Sequence, residues 1–182
     1  WIDREVAGTR ERDGIVDTDE VIDFLPASFD EAIEFRLLGQ SDAASAANLV
    51  NYIRGSGSVA GARSRNVTLP GSNVRGEWRL GDIVHSSPLI VGRPSDEYDI
   101  DFRDPTYTAF RNQYINRRQV VSAGANDGML HAFNAGFYSA GNATFATSGL
   151  HPVSGVAVTE YPLGAELWAY VPSNLLPHLR WL

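Results

Sequence analysis

The sequence predicts a mainly β domain preceded by a short helical segment, on three observations. Val120 to Phe133 sets two apolar runs on either side of Asp127-Gly128, the dipeptide that best tolerates the positive φ angles of a two-residue type I′ turn. Glu166-Leu167-Trp168-Ala169-Tyr170-Val171 alternates as a strand does, with Trp168 and Tyr170 on one side and Leu167, Ala169 and Val171 on the other. By contrast, Ser28 to Gly55 carries apolar residues at helical spacing between capping signals and glycine stops.

Composition bounds the reading. A chain of 182 residues with 43% hydrophobic content can bury a real core. The net charge of −7 sits wholly in residues 1–55, which hold twelve Asp or Glu against five Arg, while the remainder balances ten against ten. A uniformly basic face is absent, so no nucleic-acid partner is expected. Cysteine is absent too, which excludes a disulfide framework, a thiolate zinc site and a thiol nucleophile. No run of eighteen apolar residues could span a membrane. The chain opens on Trp1-Ile2-Asp3 without Met or signal-peptide features, so it reads as a piece of something longer.

In chain order, residues 1–57 form an acidic N-terminal segment. Thr9 to Glu20 fits part of a twelve-residue calcium loop, with Glu11 at the third place, Asp13 beside the sharp-turn Gly14, the Ile15 carbonyl at the seventh, Asp17 at the ninth and Glu20 as the bidentate twelfth. Thr9 stands where such loops want Asp, and a solvated acidic turn is the alternative. Ser28-x-x-Glu31 then reads as a capping box opening a helix from Phe29 to Leu38, with Phe29, Ala32, Ile33 and Leu37 on its apolar face and Gly39 as the left-handed stop. Ser41 is placed to cap a second helix through Arg54, with Ala46, Leu49, Val50 and Ile53 inward and Gly55 at its end.

Residues 58–77 read as a linker, because Ser56 to Asn73 is rich in Gly, Ser and Ala and lacks periodicity. Residues 78–182 carry the β elements. Leu89 to Val91 is short and fully apolar, as suits a strand buried on both faces. Asp82, His85, Ser86 and Ser87 suggest a catalytic triad, but no Gly-x-Ser-x-Gly elbow is present, and a Ser before Ser-Pro bonds the backbone as turns do. Ser95 to Asp101 is an acidic cluster read as solvated charge. Asp104-Pro105 starts a helix as N-cap and N1, with Tyr107, Phe110 and Tyr114 on one face.

A type I′ turn at Asp127-Gly128 pairs Ala125 with Leu130, Gly124 with His131, Ala123 with Ala132 and Ser122 with Phe133. His131 then serves packing by bonding a neighbouring backbone or carboxyl group. Residues 137–163 separate the hairpin from the Glu166–Val171 strand by a segment long for a simple connection, either a functional surface loop or partly disordered.

Four separated stretches carry a family resemblance: Asn51-Tyr52-Ile53-Arg54-Gly55, Gly81-Asp82-Ile83-Val84-His85-Ser86-Ser87-Pro88, Asn126-Asp127-Gly128 with Leu130-His131-Ala132-Phe133, and Glu166-Leu167-Trp168-Ala169-Tyr170-Val171-Pro172. Together they resemble the C-terminal domain of the PilC/PilY family of type IV pilus tip-associated proteins. The resemblance implies part of a modified, quinoprotein-like β-propeller and a place at the cell surface, pilus tip or outer membrane of a Gram-negative bacterium. It also implies a non-catalytic role in pilus biogenesis, opposing retraction, and in adhesion. Minor pilins and a host-cell or surface receptor are the partners it implies.

Calcium control belongs to the family, with its ligands in a later part of the propeller than this chain contains. The blade wording overlaps with pyrroloquinoline-quinone dehydrogenases, one alternative, and a generic propeller scaffold for protein partners is another. Asn134 stands where quinoprotein repeats often carry Asp, and no bound quinone is expected. Surface contacts are expected from loops 93–104 and 137–163.

Overall fold

The computed structural model describes residues 2, 3, 21–57, 59–68 and 71–182. The chain divides into two compact units, one drawn from residues 1–85, 125–130 and 170–182, the other from 86–124 and 131–169. Antiparallel sheets and short helices share the described residues, so the fold is mixed, and those residues form no closed barrel.

In the first unit, β1 (Ile2–Asp3) pairs antiparallel with β2 (Val21–Ile22). A 3-10 turn at Pro26–Phe29 follows, then α1 (Ala32–Leu37) and α2 (Ala43–Ile53). The helix predicted from Phe29 starts three residues later. Pro26 commits its segment to the 3-10 turn, and the capping box is Glu31 with Glu34, whose side chain accepts from the Glu31 N–H at 3.4 Å. The inward face moves accordingly: Phe29 and Leu38 are fully buried, whereas Ile33 is 76% exposed. Gly39 supplies the expected positive φ.

At α2 the cap is Asp42 rather than Ser41. Its Oδ1 accepts from the Ser45 N–H at 2.8 Å, and the Ser41 and Ser45 hydroxyls donate to Oδ2. The Ser45 backbone bond, then the hydroxyls, hold the Asp42 carboxyl below its ordinary value of 3.8. Ala46, Val50, Tyr52 and Ile53 of α2 join Phe24, Phe29 and Leu38 in a core completed by Val171, Leu176 and Leu179. The last two come from a 3-10 helix over Ser173–Trp181. Each buried aliphatic or aromatic side chain contributes about 1.5–3 kcal/mol, so this cluster anchors the unit.

The stretch read as a linker contains a hairpin. β3 (Asn66–Thr68) pairs antiparallel with β4 (Arg75–Glu77), and the Trp78 N–H donates to the Arg65 carbonyl at 2.8 Å. Arg65 ties the hairpin to α2: its guanidinium lies 3.8 Å over the Tyr52 ring and donates to the Tyr52 carbonyl at 2.9 Å.

The tip of the central hairpin differs from a type I′ turn. The Gly128 N–H donates to the Ala125 carbonyl at 3.1 Å, and the Ala125 N–H donates to the Met129 carbonyl at 3.0 Å. Gly128 alone has positive φ, at 79°; Asp127 does not. This is a three-residue loop, a type I turn closed by a glycine bulge. Ala125 therefore faces Met129 rather than Leu130, and the predicted pairing slips by one. The physical reason is that one glycine in the left-handed region is cheaper than placing Asp127 there as well. A Cβ on Gly128 would meet Leu179 at an ordinary 3.7 Å, so space is not the constraint. Gly128→Ala is accordingly expected to lower unfolding free energy by about 1–2 kcal/mol, with Val worse and Asn milder. Equal denaturant midpoints for wild type and Gly128→Val would contradict the bulge geometry.

In the second unit, β5 (Leu89–Val91), β6 (Gln119–Gly124), β7 (Leu130–Ser139) and β8 (Thr144–Ala146) follow one another across a sheet, and β9 (Glu166–Tyr170) also pairs with β7. Leu89 pairs with Ser122 and Val91 with Val120. The strand expected to be buried on both faces is instead an exposed edge, with Leu89 and Ile90 at 66% and 64% exposure. Apolar composition shows what a strand tolerates; its neighbours decide whether it is buried.

Between β5 and β6 lie α3 (Tyr98–Asp101) and α4 (Pro105–Tyr114). Asp104 caps α4 as predicted, accepting from the Thr106 N–H at 2.9 Å, with Pro105 at N1. The aromatic face of α4 stacks within itself and on α3, with Tyr98 to Tyr107 at 5.1 Å and Phe110 to Tyr114 at 4.8 Å, yet no α4 residue is buried. Nor is the acidic cluster wholly solvated. The Asp99 side chain is only 9% exposed and pairs with Arg111 at 2.5 Å.

Residues 137–163 carry short elements and specific contacts. β8 pairs with the far end of β7, Leu150 bridges to Ala157, and Arg118 lies between the rings of Phe137 and Tyr161 while donating to the Thr159 carbonyl.

Candidate functional site

The stretches that looked most like functional words meet one another in space. In the first unit, the Gly81 N–H donates to Asp127 Oδ2 at 2.9 Å, the Asn126 N–H donates to the Asp82 carbonyl at 3.0 Å, and Asp127 Oδ1 accepts from the Met129 N–H at 3.1 Å. The buried Asp127 carboxylate is thus an acceptor for two backbone donors, one local and one 46 residues away.

In the second unit, Ser86 Oγ accepts from the Gly124 N–H at 3.0 Å. That is the backbone-bonding role expected of it. Ser86→Ala should cost about 1 kcal/mol of stability; hydrolysis of an activated ester that disappears in the variant would overturn this reading.

His131 is buried and stacks on Phe133, and its Nδ1 lies 2.5 Å from Glu166 Oε1. The neighbouring carboxyl group expected for it is thus the first residue of the Glu-Leu-Trp-Ala-Tyr stretch. Asn134, next but two in the same strand, is 2% exposed and donates through Nδ2 to the carbonyls of Tyr161 and Pro162, at 2.8 and 3.1 Å. It pins the end of the 137–163 segment to β7.

Among the described residues, the bond shown for Ser86 is to a backbone N–H and not to a His or a carboxylate. The candidate calcium residues Glu11, Asp13, Ile15, Asp17 and Glu20 lie outside the described residues. Among the described residues, no three His, Asp or Glu side chains are close enough to hold a metal ion.

The first unit also holds a cleft of about 430 Å³, lined by Gly81 and Asp127 and walled by Arg63, Arg65, Trp78, Arg79, Asp82 and Asn126. Arg79 pairs with Glu77, its Nε donating at 3.0 Å. Burial alone would raise the Tyr52 phenol, but the hydrogen bond and charge of Arg65, with Arg63, bring it below its ordinary value of 10.0. Tyr52 in turn donates its hydroxyl to the Arg63 carbonyl at 3.2 Å, fixing that wall. Reading 58–77 as a linker gave Arg63 and Arg65 no role. The available signal was the Gly71-Ser72-Asn73 turn between Asn66-Val67-Thr68 and Val74-Arg75-Gly76-Glu77.

The chain is 40% identical over 163 residues, 87% of its length, to a type IV pilus biogenesis factor PilY1 homolog of Xylella fastidiosa. It is 38% identical over 92 residues, 48% of its length, to the type IV pilus biogenesis factor PilY1 of Pseudomonas aeruginosa. A second Xylella fastidiosa PilY1 homolog is 30% identical over 149 residues. The chain belongs to the PilC/PilY family. It spans 11% of the first relative and 7% of the second. No family model and no solved structure matches it. Among the described residues of this family member, no helix is long and apolar enough to cross a membrane.

Proposed function

We propose that this chain is a stretch of a type IV pilus biogenesis protein, displayed at the pilus tip or outer surface, that opposes pilus retraction and takes part in adhesion without catalysis. The observation that carries the reading is how its family words are used. Asp127, Ser86, His131 and Asn134 each bond partners within the fold, which supports an architectural role for them.

The sheet is read as part of a quinoprotein-like propeller. An apolar β5 edge left open supports this, because such an edge is satisfied when a further strand covers it. Minor pilins and a surface receptor are the partners this reading requires, and calcium control falls to residues beyond those described.

In-frame removal of residues 78–182 from the full-length gene should abolish surface pili, and removal of the retraction motor in the same strain should restore them. Unchanged piliation after the deletion would refute the assignment. The quinoprotein alternative is tested separately, by adding pyrroloquinoline quinone, calcium and a redox dye to the chain: dye reduction with an alcohol or sugar would replace the non-catalytic reading.

A further inference from the structure

We infer that the arginine-walled cleft of the first unit binds an acidic saccharide, a sugar ring carrying a carboxylate. Four features converge. The volume of about 430 Å³ suits a small ligand, within the ~300–1,000 Å³ usual for such sites. Trp78 is half exposed in the lining, and an indole there suits the apolar C–H side of a sugar ring.

Charge selects the anion. Of the three guanidinium groups, Arg79 is shared with Glu77, while no described carboxylate lies within ion-pair distance of Arg63 or Arg65. A planar guanidinium recognises a carboxylate through two parallel N–H donors. Arg65 is pre-positioned for this by its stacking on Tyr52, which lowers the entropy lost on binding.

The acidic residues refine the class. Asp127 already serves two backbone N–H groups, but Asp82 and Asn126, which also line the cleft, are exposed and suit vicinal hydroxyls as acceptor and as donor. Asn126 can donate to a phosphate as well, but a fully ionised phosphate has no hydroxyl to offer Asp82 and is repelled by that carboxylate more strongly than a monoanion is. A hydroxylated monoanion uses the guanidinium groups and both of these side chains.

The inference rests on the adhesive reading for its biological setting, but its test does not. The purified chain is titrated calorimetrically with digalacturonate, with the neutral disaccharide galactobiose and with inorganic phosphate, while the indole N–H signals are followed by NMR. Digalacturonate should saturate the site and bind at least about tenfold more tightly than galactobiose or phosphate. The indole signal that is missing from Trp78→Phe should be the one that shifts. Arg63→Gln and Trp78→Ala change exposed side chains, so both should keep the thermal midpoint and weaken binding about tenfold.

Absence of saturable binding by the folded chain would overturn the inference, as would equal affinity for galactobiose, equal affinity for phosphate, or unchanged affinity in both variants. Such a failure leaves the pilus assignment standing, whereas normal piliation after deletion of residues 78–182 removes that assignment alone.

Discussion

Asn134→Asp is expected to destabilise the chain by about 3–5 kcal/mol at neutral pH, although it changes one side-chain atom. The native amide is fully used. Its Nδ2 donates to two carbonyls, those of Tyr161 and Pro162, and its Oδ1 accepts from the Gly136 N–H at 3.0 Å. Its backbone is also committed, donating to the Ala165 carbonyl and accepting from the Gly164 N–H, both at 2.8 Å. A carboxylate keeps the Gly136 bond but turns a second negative oxygen toward the two carbonyls, in a site that water does not reach.

The pH dependence has a definite sign. Burial and the facing carbonyls disfavour the ionised form, so the folded pKa of the new carboxyl lies above its ordinary value of about 3.9. The penalty is present in full above that folded value and fades as pH falls through it, because the protonated acid again has a hydrogen to donate. Asp42 behaves oppositely: its folded pKa is lowered, so its contribution is present above the ordinary value and is lost in acid. Denaturant midpoints of wild type and Asn134→Asp should therefore converge between about pH 7 and about pH 4.5. Asn134→Ala, which leaves two carbonyls unpaired without adding charge, should cost about 2–3 kcal/mol at both. If the gap for Asn134→Asp stays constant, the amide is not donating as described.

This sheet holds the end of a long insertion by its carbonyls, and that takes a side chain with N–H donors. The residue was visible in the sequence; its partners 27 and 28 residues away were not.

Other parts of the fold were legible to different depths. Helices, the Asp104-Pro105 start, the Gly39 stop and the hairpin around Gly128 follow from local chemistry, and they appear where that chemistry stands. The errors there are small displacements with local causes. Pro26 took the first turn from the helix, and Asp42 competed successfully with Ser41 for the cap because its carboxylate accepts from three donors. The hairpin register slipped because a type I turn with a bulge and a type I′ turn share the dipeptide Asp-Gly.

Burial was harder to read. Leu89 to Val91 has the composition of an inner strand, yet its exposure is decided by which strands stand beside it, and sequence periodicity carries no information on that. The cleft was invisible for the same reason. Arg63, Trp78 and Asn126 come from separate stretches, and only the β3–β4 hairpin and the Gly81–Asp127 bond bring them to one place.

That bond supplies the second large expectation. Gly81 has no positive φ and does not need glycine for its backbone angles. It needs glycine for space: a Cβ there would lie 2.7 Å from the Asp127 backbone N and 2.9 Å from its Cβ, contacts that a side-chain rotation cannot relieve. Gly81→Ala should therefore push the hairpin tip away, stretch the Gly81 to Asp127 bond and cost about 2–3 kcal/mol. Asp127→Ala removes the acceptor of two backbone donors, the Gly81 and Met129 N–H groups, and should cost about 2–4 kcal/mol.

Both changes break the same knot, so their effects cannot add. Once Asp127 has lost its carboxylate, part of the atom set that crowds the methyl group introduced by Gly81→Ala is gone, and the bond that this methyl would stretch no longer exists. The double variant should be about 1–2 kcal/mol more stable than the sum of the single losses predicts. Unfolding the four chains of this cycle in denaturant measures the coupling directly. Strict additivity would mean that Gly81 and Asp127 act independently, and that the pairing of their two sequence stretches has no energetic basis in this bond.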